Sequence, residues 1–359
     1  MTDIDWASGE VAHELVAQLV SPTDHDVVVG ELALSSGGCS ITEGYYTDTR
    51  VSAQLSVQDW SAYDGSAWVR LRHRVRGVGH DELLMTGIVW DEGASLSHGA
   101  IGAAPSLVSV LKPLAEDALP FPVAVGAGAR ASEVALAVCS DALRPARVAP
   151  GCPDHVFAET SVWDAGTERL GVLFDLCDLM GSRLEVDADG TVALTAYAPP
   201  SSREASAWLD ACSAGTVLSA EMSRSSDAHQ VPGRSIVTWS GAAKGTGGAD
   251  AQASGYADVP ASSQASPQRR GYVVSEVHQL SDMAEPHTTA HAQQLARGYL
   301  DADASGTVEW SARTVWMPVH AGDVVMLRPD AAVGWRKCLV KQVRADLSAW
   351  VLDLTLKEV

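Results

Sequence analysis

Two histidines in the C-terminal third have the most suggestive metal-ligand spacing in the sequence. His287 and His291 are four residues apart, which places two imidazoles on one face of a helix. Metalloproteases that use this spacing need a glutamate directly after the first histidine as general base. Thr288 occupies that position, and Glu285 precedes Pro286, outside the helix. The pair therefore predicts solvated side chains on a surface helix rather than a metal site.

Four aspartates recur among the C-terminal strands and turns and are the second candidate for chemistry: Asp323, Asp330, Asp346 and Asp353. Two carboxylates cleave a glycosidic bond only when they flank it at a fixed separation across a cleft. Aspartate is also a common turn residue, because its side chain accepts hydrogen bonds from nearby backbone amides. A turn role is therefore expected, and a hydrolase of envelope polymers stays an alternative.

Four arginines alternate along one predicted strand and project from a single face of it. They are Arg70, Arg72, Arg74 and Arg76. In an acidic chain, these guanidinium groups are expected to pair with carboxylates on an adjoining strand or on another subunit. The stripe is therefore either a solvated sheet face or a contact with a second subunit or an acidic partner. Nucleic-acid recognition is disfavoured, since no aromatic side chains interleave to stack on bases.

The charge balance narrows the choice of partners. The 359 residues include 45 acidic and 25 basic side chains, a formal net charge of −20. A surface that grips nucleic acid needs basic groups to neutralise phosphates, so this balance disfavours one. A channel through which DNA slides without specific binding stays compatible with it.

Hydrophobic content and cysteine usage indicate a folded chain made in a reducing compartment. Hydrophobic residues make up 46 % and charged residues 19 %, which is typical of globular proteins. No run of apolar residues is long enough to span a membrane, and the first residues lack a secretion signal. The six cysteines form no CxxC pair, so we expect reduced, structural thiols, no zinc site and no cofactor.

Periodicity divides the chain into three parts of a β-rich α+β protein. Residues 1–105 contain several short strands separated by Gly, Asp and Ser turns, which predicts a small β-barrel or sandwich. Residues 106–204 predict an α+β insertion. It opens with a helix over Ser106–Leu114 that Pro113 limits, and it contains the Asp189-Gly190 hairpin turn.

Residues 205–359 return to β character and predict a second small barrel-like domain. Residues 241–270 are rich in Gly, Ala, Ser and Gln, and this composition predicts a long loop. Residues 286–303 predict an amphipathic helical insertion with Pro286 in its first turn. The predicted fold class is therefore two β-barrel domains that flank an α+β insertion.

The chain contains eleven tryptophans and only three phenylalanines. Indoles are enriched in the desolvated centres of interfaces, but with so few phenylalanines many must serve as ordinary core. Exposed tryptophans would also suit a carbohydrate-binding adhesin, which stays a second alternative.

Short motifs in the middle and at the end of the chain resemble the minor tail proteins of siphophages that infect actinobacteria. The middle motifs read WDAGTERL, LEVDADGT and YAPPSSR, and the C-terminal ones read TVEW and HAGDVV. They span Trp163–Leu170, Leu184–Thr191, Tyr197–Arg203, Thr307–Trp310 and His320–Val325. The resemblance covers about two thirds of the chain and identifies it as similar to the bacteriophage tail-hub, or baseplate-hub, family.

This resemblance implies a trimer in which each subunit carries two related β-barrels. Three chains with two barrels each would present six similar units, so a three-fold tip could dock onto a six-fold ring and tube. The implied partners are the distal tail ring protein, the C-terminus of the tape-measure protein, and tip or receptor-binding proteins. The implied location is the tail tip of the virion. The implied function is structural and non-enzymatic: the hub closes or gates the channel for viral DNA.

Overall fold

The computed structural model describes most of the chain, and the fold below refers to these residues alone. They are residues 4, 6, 11–45, 47–97, 100–213, 218–219, 221–226, 231–241, 251–263, 265–280, 289–303 and 308–359. Within them, no helix is both long and apolar enough to cross a membrane.

The N-terminal part forms a closed six-stranded barrel with one additional hairpin. Its strands are β1 (His13–Val20), β2 (Val28–Gly44), β3 (Val51–Asp59), β4 (Trp68–Val75), β5 (His80–Asp91), β6 (Ala94–Ser97), β7 (Ala100–Ala103) and β8 (Ser106–Val108). The barrel order is β2-β1-β4-β5-β8-β3, and β3 pairs again with β2 to close the ring. Period-two alternation points one face of each strand inward, and Leu19, Leu55, Leu71 and Leu107 are fully buried there.

The prediction of a helix over Ser106–Leu114 is wrong for the first residues of that range. Residues 106–108 form β8, which pairs with both β3 and β5 and completes the first barrel. Helix α1 begins at Leu111, ends at Glu116 and contains Pro113 in its first turn, where proline costs no intrahelical hydrogen bond. Tertiary pairing in the barrel therefore overrides the helical pattern of residues 106–110.

The α+β part has three helices packed on short sheets around a separate core. Its elements are α1, β9 (Val123–Val125), α2 (Ala131–Asp141), β10 (Ala146–Val148), β11 (Ser161–Trp163), α3 (Arg169–Met180), β12 (Ser182–Val186) and β13 (Val192–Ala196). Helix α3 ends at Gly181, whose φ of 63° gives the left-handed cap that glycine favours. Strands β12 and β13 form the hairpin predicted at Asp189-Gly190.

The C-terminal part forms a curled six-stranded sheet with the order β14-β20-β21-β22-β19-β15. Its strands are β14 (Ala207–Asp210), β15 (Ser223–Ser226), β19 (Val308–Val315), β20 (Val324–Arg328), β21 (Arg336–Asp346) and β22 (Val351–Glu358). Within the described residues, edge strands β14 and β15 do not pair with each other, so no strand pairing there closes this second barrel. Strand β21 pairs with β2 through Ser40–Gly44. One hydrophobic core therefore runs through both barrels.

The described residues of the 231–303 segment add a small unit with its own core. It consists of β16 (Arg234–Gly241), β17 (Ala251–Asp258), α4 (Pro267–Arg270), β18 (Ser275–Gln279) and α5 (Thr289–Asp303). The long loop expected over 241–270 is therefore wrong in part, because β17 and α4 lie inside it. Small side chains made the strand hard to predict: Ala253 and Ala257 are buried, and Gly255 lies against the backbone of α5.

Tyr45 lies where the first barrel, the α+β part and the second barrel meet. Arg183 stacks on its ring at 3.4 Å from the centroid and donates to its carbonyl oxygen. Arg203 donates to the Tyr45 hydroxyl at 2.8 Å and to the carbonyl of Gly322 at 2.7 Å. Arg50 donates to the carbonyl oxygens of Tyr45 and Leu184. These charge-assisted bonds cross-link the three parts.

Candidate functional site

Three of the four arginines in the stripe, which runs along β4 and one residue beyond it, are paired with carboxylates of the same chain. Arg72 and Arg74 donate to Asp81 of β5 at 2.9 and 3.3 Å, and Arg76 donates to Glu14 of β1. Arg70 is buried and donates to the carbonyl of His25. Hydrogen bonding to Arg76 holds the pKa of Glu14 below its ordinary value. The expected pairing with an adjoining strand is thus present, and a subunit contact through this stripe stays a prediction.

Only one of the two histidines with metal-ligand spacing lies among the described residues. His287 lies outside them, whereas His291 lies in the first turn of α5. Burial lowers the pKa of His291. Because His287 is not described, the expectation that this pair holds no metal stays a prediction.

The four C-terminal aspartates have structural roles. Asp353 pairs with Arg313 across β19 and β22 at 2.6 Å. Asp330 and Asp346 accept backbone N–H groups in turns, and Asp323 accepts the backbone N–H of His320 at 3.0 Å. Hydrogen bonds in turns and one ion pair therefore explain why aspartate is present at these four positions.

A cluster of histidines and tryptophans lies at the junction of the two barrels. His13 projects from β1, His73 from β4 and His80 from β5, all in the first barrel. Trp316 and Trp350 of the second barrel contact His73, with ring centroids 5.2 and 4.5 Å apart. We call this group the seam cluster, and it also contains Trp6, Glu43, Glu82 and His320.

The β4–β5 hairpin sets the geometry of the seam cluster. Its register places His73 directly opposite Glu82 and Val75 opposite His80. Nδ1 of His73 lies 3.9 Å from Oε2 of Glu82, and Nε2 of His80 lies 3.4 Å from the same oxygen. Nε2 of His73 lies 2.9 Å from Nδ1 of His13, so one ring donates to the other. Two imidazoles and one carboxylate thus converge on one point.

The outer side of the seam cluster is a carboxylate–histidine network between the barrels. Nδ1 of His320 lies 3.0 Å from Oε1 of Glu43, and its Nε2 lies 3.9 Å from Oε1 of Glu82. The hydrogen bond to Glu43 holds the pKa of His320 well above its ordinary value, and His320 in turn depresses that of Glu82. Burial and the neighbouring imidazoles lower the pKa of His13 to about 4. A cationic His320 is therefore paired while His13 is neutral.

Sequence reasoning did not find the seam cluster. His73 and His80 are seven residues apart and lie on different strands, so no local motif joins them to Glu82. The available signal was the hairpin: pairing β4 with β5 around the Gly77–Gly79 turn brings these positions together. His13 and His320 are far away in sequence and become neighbours only through the tertiary fold.

Tryptophans divide between core and surface. Trp60, Trp68, Trp163, Trp239, Trp310 and Trp316 are buried. Trp208 is 65 % exposed on edge strand β14, and Trp90 and Trp335 are also exposed. Of these three, only Trp208 lies on an edge strand, and singly exposed indoles are normal on a protein surface.

Comparison with known proteins connects this architecture to phage tails. No family model and no curated protein matches the sequence. Among solved structures, the chain is similar to a tail protein from Neisseria meningitidis MC58, with a TM-score of 0.67, 13 % identity, and 97 % of each chain covered. It is also similar to the 43 kDa tail protein of prophage MuSo2 from Shewanella oneidensis, with a TM-score of 0.63, 12 % identity, and 96 % of this chain and 98 % of that chain covered.

A third similar structure is the prophage tail protein gp18 from Listeria monocytogenes EGD-e. Its TM-score is 0.57, its identity 9 %, and the coverage 96 % of this chain and 94 % of that chain. Identities this low show a shared fold, and the coverage extends it over the whole architecture. The predicted fold class, an α+β, β-rich tail-hub-like fold, is confirmed. The chain has the fold of phage tail proteins.

Proposed function

We propose that this chain is a structural hub at the tip of a bacteriophage tail and assembles as a homotrimer. The observation that carries the proposal is the presence of two six-stranded units in one polypeptide, a closed barrel and a sheet whose edge strands do not pair within the described residues, joined by β2–β21 pairing. Three such chains around an axis would present six barrel units, which suits a contact between a three-fold tip and a six-fold tube. Full-length similarity to tail proteins supports the same reading.

The proposed partners follow from that position. The six barrel units would contact the distal tail ring protein, and the tip side would hold receptor-binding proteins and the tape-measure C-terminus. The net charge of −20 suits a channel wall along which DNA slides without specific binding. We propose a virion of the siphophage type that infects actinobacteria, on the strength of the sequence motifs, and an assembly role without catalysis.

The mass of the purified chain in solution tests this proposal. A trimer is expected at three times 37.7 kDa, about 113 kDa, together with capture of a tape-measure C-terminal fragment. A stable monomer that captures no tail protein would refute the hub. Release of soluble fragments from purified host peptidoglycan would instead favour the hydrolase alternative.

A further inference from the structure

The seam cluster contains three buried polar atoms that converge on one point. They are Nδ1 of His73, Nε2 of His80 and Oε2 of Glu82. The two imidazole nitrogens lie 3.9 and 3.4 Å from the carboxylate oxygen, in contacts that lack the geometry of a good hydrogen bond. All three lie within 4.8 Å of one another. The side chain of His73 has no exposed surface. Buried polar atoms without a good hydrogen bond are costly, and a cation bound among these three would give each of them a partner.

We infer that His73, His80 and Glu82 bind a divalent transition-metal cation of the zinc class at the seam of the two barrels. Two imidazole nitrogens and one carboxylate oxygen form a donor set that such cations favour. Bonds of about 2.0–2.1 Å in a tetrahedral site place ligand atoms about 3.3–3.4 Å apart. His80 already lies 3.4 Å from the glutamate oxygen, and His73 at 3.9 Å needs to approach by about half an ångström.

The surroundings of His73 are those of a metal ligand. A ligating histidine usually donates its other ring N–H to an acceptor, which fixes the tautomer and the orientation of the ring. Here Nε2 of His73 lies 2.9 Å from Nδ1 of His13, leaving Nδ1 of His73 to bind the cation through its lone pair. Stacking of His13 on Trp350, with ring centroids 4.4 Å apart, holds the acceptor in place.

The cation has an entry route and a structural consequence. The side chains of His80 and Glu82 remain 26 % and 22 % exposed although their ligand atoms are buried, so a cation would enter past these two side chains and lose its water on the way. Glu82 also lies against His320 of the second barrel. The bound cation would therefore fix the β4–β5 hairpin and, through Glu82, the position of one barrel relative to the other. This inference does not depend on the proposed tail function.

Zinc titration of the full chain, stripped with a chelator beforehand, tests the inference. We expect one equivalent per chain, a higher melting temperature with zinc, and visible d–d bands of a low-symmetry site when Co²⁺ replaces it. His80→Asn should weaken binding at least about 100-fold, since it removes a ligand directly. His25→Asn, a half-buried histidine outside the seam cluster, should bind like the parent.

A second variant keeps the test decisive if His80→Asn folds poorly. Glu82→Gln keeps the shape of the side chain and removes its charge, and it should also lose affinity while its circular dichroism stays that of the parent. Binding of less than one equivalent by the parent, or equal affinity in the parent and both cluster variants, would overturn the inference.

Discussion

Replacing Gly322 by alanine should disrupt the junction at Tyr45. Gly322 has a φ of +99°, and a Cβ built there would lie 2.7 and 2.9 Å from Cδ2 and Cε2 of the Tyr45 ring. The ring is held by Arg183 on its face and by Arg203 at its hydroxyl, so it cannot move aside freely. The left-handed backbone costs alanine about 1–2 kcal/mol, and overpacking adds about 1–3 kcal/mol.

Gly65→Ala is a matched control, because Gly65 has a φ of +86° and nothing within 4 Å of the added Cβ. Native-state hydrogen exchange can follow the amides of Tyr45 and Gly322, which donate to Lys341 and Val340 at 2.9 and 2.8 Å. Gly322→Ala should lower local opening free energy by about 2–5 kcal/mol, and 2 kcal/mol corresponds to roughly 30-fold faster exchange.

Two outcomes decide whether overlap of the added Cβ with the Tyr45 ring causes the faster hydrogen exchange. Adding Tyr45→Ala removes the ring, so in that background Gly322→Ala should cost no more than Gly65→Ala does in the parent. If Gly322→Ala and Gly65→Ala have equal effects in the parent chain, Tyr45 is not a fixed joint and the reasoning fails.

Two further perturbations test the small unit and its docking. Gly255→Ala should detach α5 from β17, because the added Cβ would overlap the backbone of Gln293. Limited proteolysis should then cut residues 231–303, whereas Gly298→Ala, with open space around it, should leave the pattern unchanged. The pKa of Asp178 is raised to about 6 by burial, and Tyr299 donates to it at 2.6 Å. Because this folded-state pKa exceeds the ordinary value of 3.8, stability should fall as pH rises from about 4 to 6 and then level off. Asp178→Asn should remove this pH dependence of the unfolding free energy, measured in urea. It should also raise the unfolding free energy at pH 7 by about 1–2 kcal/mol. The gain is limited to this size because the side chain is only half-buried. An unchanged slope would exclude Asp178 as its origin.

The elements with strong local signals were predictable from the sequence. The hairpin at Asp189-Gly190 and the helix that ends at Gly181 depend on turn and cap residues whose effect is local. Strand β17 was not predicted, because the positions that face α5 and the core are Ala253, Gly255 and Ala257. A hydrophobic pattern made of such small residues looks like a linker until a helix is known to pack against it.

The site residues were harder to predict than the elements. The arginine stripe was visible because period-two alternation is a local property, but its partners Asp81 and Glu14 depend on strand order. Predicting the seam cluster requires the tertiary fold. His73 and Glu82 are opposite each other through the register of the β4–β5 hairpin, and His320 comes near them through the pairing of the two barrels. Such long-range geometry leaves no spacing signal in one sequence.

A cryo-electron microscopy reconstruction of the chain bound to its tail tube tests the central claim most directly. We expect three copies around the axis, with the first and second barrels of each copy alternating in a ring of six that faces the tube. Density for one copy, or for barrels that do not alternate around a common axis, would contradict it.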